Sequence, residues 1–229
     1  MGVLLIAALV WIGIHIGIAG TRFRDVIVAR TGDGPFRGLF SLLSIAAFVF
    51  LVQAWSATET TPLWYAPAWV RWVLAAAMLV AFVLFVASVI RRNPTMISGE
   101  TAMAQPPRGI QRVTRHPMLW SFALWSAVHI IGNGDTAALV FFGAFLVTAL
   151  AGMPSIDAKL ARRDPATWQT LSAATSIVPF AAIAQAQPLR AGRDRLADGA
   201  DRGGRVGRGA APASLAFRRG AGCYVTGHG

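Results

Sequence analysis

Residues 72–90 read WVLAAAMLVAFVLFVASVI and contain no charged side chain. A helix of about 20 apolar residues crosses about 30 Å of hydrocarbon, so this stretch is long enough to span a bilayer. The whole chain agrees, because 55% of its 229 residues are hydrophobic, 14% are charged and the mean hydropathy is +0.54. Soluble domains carry about 25% charged residues. The sequence therefore excludes an ordinary soluble enzyme and predicts an integral membrane protein.

Similar apolar stretches lie on both sides of this segment. They are residues 2–20, 38–55, 117–131, 136–153 and, interrupted by Pro179, 171–186. A strand would leave its backbone groups unpaired in lipid, so we expect each stretch to be a helix. The sequence predicts an all-α, polytopic transmembrane helix bundle with five to six spans over residues 1–187.

The loops between these stretches alternate in charge. Basic residues are concentrated in loops 21–37, 91–116 and 154–170, whereas loops 56–70 and 132–135 contain none. Basic loops remain in the cytoplasm, so we expect the N-terminus outside. We attribute the net charge of +11 to basic loops that set the topology in the lipid bilayer, and we expect no nucleic-acid partner.

The composition changes after residue 187. Residues 188–229 are rich in Arg, Gly and Ala with few apolar side chains, so we expect this tail to be disordered. Out-of-frame reading of a GC-rich gene yields this composition, and we hypothesise that the tail is a frameshift product. An Arg/Gly tail that binds anionic lipid or RNA is the alternative. The only cysteine, Cys223, lies in this tail, so no disulfide framework is expected.

Two histidines lie within the predicted spans. His15 shares a helix face with Trp11 and Arg22, and His129 shares one with Trp125. Imidazole binds haem iron, so the pair suggests two axial ligands, with Arg22 beside a propionate. In the alternative, each histidine is a packing residue that hydrogen-bonds a neighbouring helix. A depth difference of about 10 Å between the histidines also opposes a shared iron.

Other polar residues lie at the ends of the predicted spans. Arg115 and His116 precede a helix start at Pro117, and we expect them to shape a polar pocket at the cytoplasmic face. We expect Asp135 to be solvated or to cap a turn, and Asp157 to be solvated among its basic neighbours. No motif of a serine hydrolase, zinc protease or phosphate loop is present, so catalytic residues stay unassigned.

Three blocks carry a resemblance to a known family. HIGIAGTRFR at 15–24, RHPMLWSFALWSAVHIIGNGD at 115–135 and SIVPFAAI at 176–183 resemble the NnrU family of bacterial membrane proteins, which includes carotene isomerases. The resemblance implies a bacterial inner-membrane protein with an isomerase-like role on an apolar small molecule, or an accessory role in denitrification. It also implies haem b with His15 and His129 as ligands. Ser126 departs from the isomerases, which have a cysteine there.

Two other functions stay open. A non-enzymatic membrane scaffold needs no site at all. An S-adenosylmethionine-dependent methyltransferase is suggested because isoprenylcysteine carboxyl methyltransferases are similar in having an Arg-His-Pro at a helix start, as at Arg115, His116 and Pro117. Those enzymes have paired glutamates where this chain has Asp157 and Ala158.

Overall fold

The structure is a computed structural model that describes residues 1–90 and 107–185. The described residues belong to one unit, Met1–Ala186. The predictions made for the tail at 188–229 and for the loop residues 91–106 lie outside the described residues.

The described residues form nine α-helices and one π-helical segment. In chain order these are α1 (Gly2–Ile12), the π-helix (Gly13–Ile18), α2 (Phe23–Thr31), α3 (Asp33–Ser56), α4 (Ala68–Ile90), α5 (Ile110–Val113), α6 (Pro117–Asn133), α7 (Thr136–Arg163), α8 (Pro165–Ala174) and α9 (Ala181–Gln185).

Three of these helices, α3, α4 and α7, are long and apolar enough to cross a membrane. A fourth span exists if Gly2–Ile18 and Phe23–Thr31, which are bent by 71° relative to each other, are one broken span. Helix α6 has 17 residues and falls just short. The described residues thus support a polytopic all-α bundle with three or four spans, and the prediction of five to six spans is not confirmed.

The predicted span at 171–186 does not form one helix. Helix α8 ends at Ala174 and α9 begins only at Ala181. Pro179 lacks a backbone N–H and disfavours helical backbone in the residue before it, and Phe180 has a φ of 65°. Hydropathy identifies this stretch as apolar but does not detect the break between α8 and α9.

Helix α7 lies at the centre of the bundle. In the most apolar 18-residue stretch of α7, 44% is buried inside the bundle, whereas the corresponding share is 17% in α3 and in α4. Small and aromatic side chains let the neighbouring helices approach closely. The largest buried cluster comprises Leu4, Ala7 and Ala8 of α1, Leu51 and Ala54 of α3, and Ala137, Ala138, Phe141, Phe142, Ala144 and Phe145 of α7. Helix α6 packs between α7 and α4.

The turn between α6 and α7 is held by the preceding loop. Gly134 has a φ of 65°, and a Cβ there would lie 2.2 Å from the Trp64 carbonyl oxygen. Asp135 caps α7, since its Oδ1 accepts from the Ala138 N–H at 2.8 Å and from the Thr60 hydroxyl at 2.6 Å. The prediction that Asp135 caps this turn is confirmed.

The opposite side of the bundle holds loops 21–37 and 154–170, and we call it the basic end. The chain reaches it through the π-helix, in which the Ala19 N–H donates to the Ile14 carbonyl at 3.2 Å. At Gly20, the carbonyl accepts from Ser155 Oγ of α7 at 2.8 Å. A Cβ at Gly20 would lie 2.9 Å from that Oγ, so glycine permits this close approach.

Candidate functional site

His15 lies inside the π-helix, a type of segment frequent at functional sites. Its Nδ1 lies 2.9 Å from the Trp11 carbonyl oxygen. A carbonyl can only accept, so Nδ1 carries the proton and Nε2 keeps its lone pair. The ring lies 4.0 Å from the Trp11 ring and 5.5 Å from the Phe40 ring, centroid to centroid. His15 is thus held in the tautomer whose Nε2 can bind a metal or accept a proton.

His129 lies near the other end of the bundle, on α6. Its ring stacks on Phe142 with centroids 4.5 Å apart and an interplanar angle of 9°. The Trp125 ring meets it edge-on at 5.3 Å. Aromatic contacts alone hold this imidazole, since its nitrogens make no hydrogen bond to any residue that the structure describes.

Three rings separate the two histidines. The Phe145 ring lies 4.7 Å from Trp11 and 5.4 Å from Trp125, and we call these three residues the aromatic layer. His15 follows Trp11 by one turn toward the basic end, whereas His129 follows Trp125 by one turn away from it. Four residues of helix rise about 6 Å, so each histidine lies about 6 Å along its helix from its tryptophan, in opposite directions.

The prediction that one haem is held by both His15 and His129 stays a prediction, and among the described residues no ring contact joins the two imidazoles directly. An imidazole nitrogen binds a metal at about 2 Å, so nitrogens on opposite faces of one iron would lie about 4 Å apart. Here the ring contacts that connect His15 to His129 run through Trp11, Phe145 and Trp125. Within residues 1–90 and 107–185, no cluster of three or more His, Cys, Asp or Glu could hold a metal ion either.

Arg22 also lies apart from the histidines. It is exposed, and it lines a groove at the basic end between α2 and the end of α7. No contact of Arg22 with His15 or His129 is found among the described residues, and the grouping of the three into one site stays a prediction.

Arg115 and His116 are brought together, and their partner is Asp157. Arg115 donates from Nε to Asp157 Oδ2 at 2.8 Å, and its Nη2 lies 2.7 Å from the same oxygen. His116 Nε2 lies 2.7 Å from the other carboxylate oxygen, Oδ1. The His116 side chain is fully buried and that of Asp157 is 10% exposed. One carboxylate thus binds a guanidinium and an imidazole inside the bundle.

This cluster anchors the segment between α8 and α9. Arg115 Nη1 donates to the Thr175 carbonyl at 2.9 Å, and the Thr114 hydroxyl donates to the Ile177 carbonyl at 2.8 Å. The Trp120 indole N–H donates to the same Ile177 carbonyl, also at 2.8 Å. The Arg115 guanidinium further stacks 5.1 Å from the ring of Trp168. Together these hydrogen bonds satisfy backbone carbonyls in the segment between α8 and α9, where no helical partner is available.

A small apolar groove lies between α4 and α6, on the lipid-facing side of Trp125. Its volume is about 160 Å³, and its lining includes Met78, Phe82, Phe85, Ser121, Phe122 and Trp125. Phe82 and Phe122 are 63% and 38% exposed, so the groove opens toward lipid. Trp125 contributes both to this groove and to the aromatic layer.

Residues 3–193 match the family model described as NnrU protein. The chain belongs to the NnrU family. Two similar proteins are named 15-cis-zeta-carotene isomerase, chloroplastic: one from Arabidopsis thaliana is 25% identical over 185 residues, and one from Zea mays is 24% identical over 189 residues. Each alignment covers 79% of this chain and 50% of the relative, so the chain spans about half the length of these proteins. No solved structure matches significantly.

Sequence reasoning missed the central member of the polar cluster in this NnrU chain. We predicted Asp157 to be solvated, and this is wrong, because it is 7% exposed. Ala149, Met153 and Leu160 are buried on the same face of α7, at helical spacing from Asp157. That periodicity was the available signal, but the neighbouring basic residues suggested an exposed stretch.

Ser126 is the position where this NnrU chain departs from the isomerases it resembles. The residue is fully buried on α6, and its Oγ has no hydrogen-bond partner among the described residues. Trp11 Nε1 is likewise buried without a partner. Unpaired buried polar atoms cost about 1–3 kcal/mol each. Both residues lie close to a histidine. The Trp11 carbonyl is hydrogen-bonded to His15, and Ser126 directly follows Trp125, whose ring contacts His129.

Proposed function

We propose that this NnrU chain binds an elongated apolar polyene within the bilayer and isomerises one of its double bonds. The observation that carries the proposal is the apolar groove between α4 and α6, which shares Trp125 with the aromatic layer beside His129. The name of the two similar isomerases supports the class of substrate and reaction. A water-insoluble substrate would reach such a groove directly from the lipid.

Three aromatic residues and one histidine form the proposed polyene site. Phe85 and Phe122, whose rings meet edge-on at 6.1 Å, supply apolar contact area to a bound polyene. Trp125 forms the inner wall. His129 lies behind that wall, 5.3 Å edge-on from the Trp125 ring, and we assign to it the positioning of Trp125 against the polyene. Isomerisation adds and removes no atoms, so the site needs neither a water channel nor a second substrate.

Haem b remains a proposal as well. The aromatic layer keeps His15 and His129 apart, so we derive no step through haem. A pyridine haemochrome assay on the protein purified after expression with added haem tests whether it binds at all. Roughly one haem per chain would support the proposal, and its absence from well-folded protein would overturn it.

The geometry around Arg115 and His116 does not support a methyltransferase-like site. Arg115 and His116 direct their donors to Asp157 and to the Thr175 carbonyl, which is a structural use of both side chains. A membrane scaffold becomes the better account if the chain neither binds nor converts a polyene.

The test is conversion of 15-cis-zeta-carotene by the full chain in lipid nanodiscs, followed by chromatography of the isomers. Phe122→Ala removes a groove wall, and we expect turnover to fall about ten-fold or more. Phe50→Ala on α3 is the matched control, since Phe50 is 37% exposed and Phe122 is 38% exposed. We expect it to retain activity within two-fold. No turnover by any variant, or equal losses in both, would overturn the proposal.

A further inference from the structure

The groove at the basic end is built from cations. It has a volume of about 530 Å³ and is lined by Arg22, Asp25, Val26, Ala29, Lys159, Arg162 and Arg163. Four basic side chains thus face one carboxylate. The volume falls within the range of about 300–1,000 Å³ that is typical of small-molecule sites.

The carboxylate in this groove does not balance the cations. Asp25 lies 3.6 Å from Arg24, which does not line the groove. Arg24 is itself buried and donates to Asp33 at 2.6 Å. Asp25 therefore shares its charge between Arg24 outside the groove and Lys159 inside it, and even without Arg163 the cations Arg22, Lys159 and Arg162 outnumber this carboxylate.

Lys159 is the most informative of the four cations. It is half-buried, yet its ammonium makes neither a hydrogen bond nor an ion pair within the described residues. Burying a charge beside other positive charges is costly unless an anion accompanies it. An anion that enters the groove would relieve this cost.

The walls of the groove are fixed in advance. The bond from Ser155 to the Gly20 carbonyl ties the chain that leads into α2 against α7, and Lys159 lies one turn beyond Ser155 on the same face. On the other side, the bond from Arg24 to Asp33 ties α2 to the start of α3. A preformed site loses less conformational entropy when it binds.

We propose that this groove binds a phosphate group. Guanidinium groups match phosphate oxygens in pairs, and a lysine supplies a compact point charge. Val26 and Ala29 offer apolar contact to whatever carries the phosphate. An anionic phospholipid headgroup and a soluble phosphorylated compound share this chemistry. The proposal does not depend on the polyene site, which lies between other helices.

The test uses the full chain in detergent. Binding of phosphatidylglycerol, with phosphatidylcholine as the neutral reference, is measured by native mass spectrometry, and binding of inorganic pyrophosphate by calorimetry. The variant Arg22→Gln/Lys159→Gln removes two groove cations. Each cation near an anionic group contributes roughly five-fold in affinity, so we expect about a 30-fold loss. The control Arg30→Gln/Arg112→Gln removes two exposed cations outside the groove, and we expect less than a three-fold loss.

The outcomes separate the sources of the phosphate. Selective loss of phosphatidylglycerol with no pyrophosphate binding identifies a lipid headgroup, whereas pyrophosphate binding that depends on Arg22 and Lys159 identifies a soluble ligand. The charge-conserving variant Arg22→Lys/Lys159→Arg should retain binding, which excludes misfolding as the cause. Equal losses in the groove and control variants, or no binding of either probe, would overturn the proposal.

Discussion

The two membrane histidines and the Arg115–His116–Asp157 cluster use polar side chains in opposite ways. At the basic end, Asp157 accepts from Arg115 and bonds His116, and both contacts are at 2.8 Å or less. Around the aromatic layer, His15 makes one local bond and His129 makes none within the described residues. Polar groups in lipid are costly, and we infer that the carboxylate bound by both Arg115 and His116 serves the architecture of the bundle. His116 Nδ1 is buried without a partner among the described residues, so the contrast with His129 rests on Asp157 and not on every atom of the cluster.

The largest expected effect is in the committed cluster. Asp157→Ala leaves a guanidinium and an imidazole buried without their carboxylate, and removal of one partner from a buried pair costs about 3–5 kcal/mol. We expect the free energy of unfolding in mixed micelles to fall by that amount. Asp25→Ala is the control, because Asp25 is 48% exposed and its ion pair should contribute about 1 kcal/mol or less. Similar losses in both variants would remove the distinction between the two regions.

The next prediction compares histidines directly. His116→Ala empties a fully buried position and leaves one oxygen of Asp157 unpaired, so we expect a loss of about 2–4 kcal/mol. His129→Ala removes ring contacts alone, and we expect a loss of about 1 kcal/mol. Polyene turnover should show the reverse order per unit of folded protein, with the larger loss in His129→Ala. If His129→Ala unfolds the protein more than His116→Ala does, His129 is a packing residue.

The smallest expected effect concerns α8, which carries Trp168 over Arg115. Asp164 caps this helix by accepting from the Thr167 N–H at 3.1 Å. Hydrogen bonds from the Thr167 side chain and backbone lower the pKa of Asp164. The cap therefore stabilises the fold fully above the ordinary carboxyl pKa of about 4, and this contribution is lost as pH falls through the lowered folded-state pKa.

Thermal melts measured as a function of pH check this prediction. Asp164→Ala should lower Tm slightly at neutral pH and remove the cap's share of the acid sensitivity. Asp164→Asn keeps a capping side chain but not the carboxylate, so its Tm should stay near that of the unmodified chain while the same acid sensitivity is lost. An unchanged pH profile in both variants would contradict the role assigned to this carboxylate.

Hydropathy predicted the long helices better than it predicted their ends. The predicted span at 72–90 lies within Ala68–Ile90, and the one at 38–55 lies within Asp33–Ser56. By contrast, α7 runs to Arg163, ten residues past the end predicted at Met153 and through Pro154. Apolar character stops at the edge of the lipid, but helical hydrogen bonding does not. A window of hydropathy therefore cannot locate the end of such a helix.

The candidate sites were harder to predict because they depend on contacts between distant segments. Arg115 and His116 were identified from their position before a helix start, but Asp157 lies more than forty residues away on another helix. The phosphate-binding groove likewise joins Arg22 to Lys159 across the bundle. The depth difference between His15 and His129 follows from residue counts and helix rise, and it stays a prediction. What fills the gap, the ring of Phe145 between two tryptophans, required the structure.

We expect His15 and His129 to act separately, each beside its own tryptophan of the aromatic layer. The most direct test is the absorption spectrum, oxidised and dithionite-reduced, of the haem-supplied protein beside His15→Ala and His129→Ala. We expect that no Soret band is lost in both single variants, because the ring contacts connect the two imidazoles through Trp11, Phe145 and Trp125 and not directly. A band that is present in the unmodified chain and disappears in each variant, while both remain folded, would contradict it.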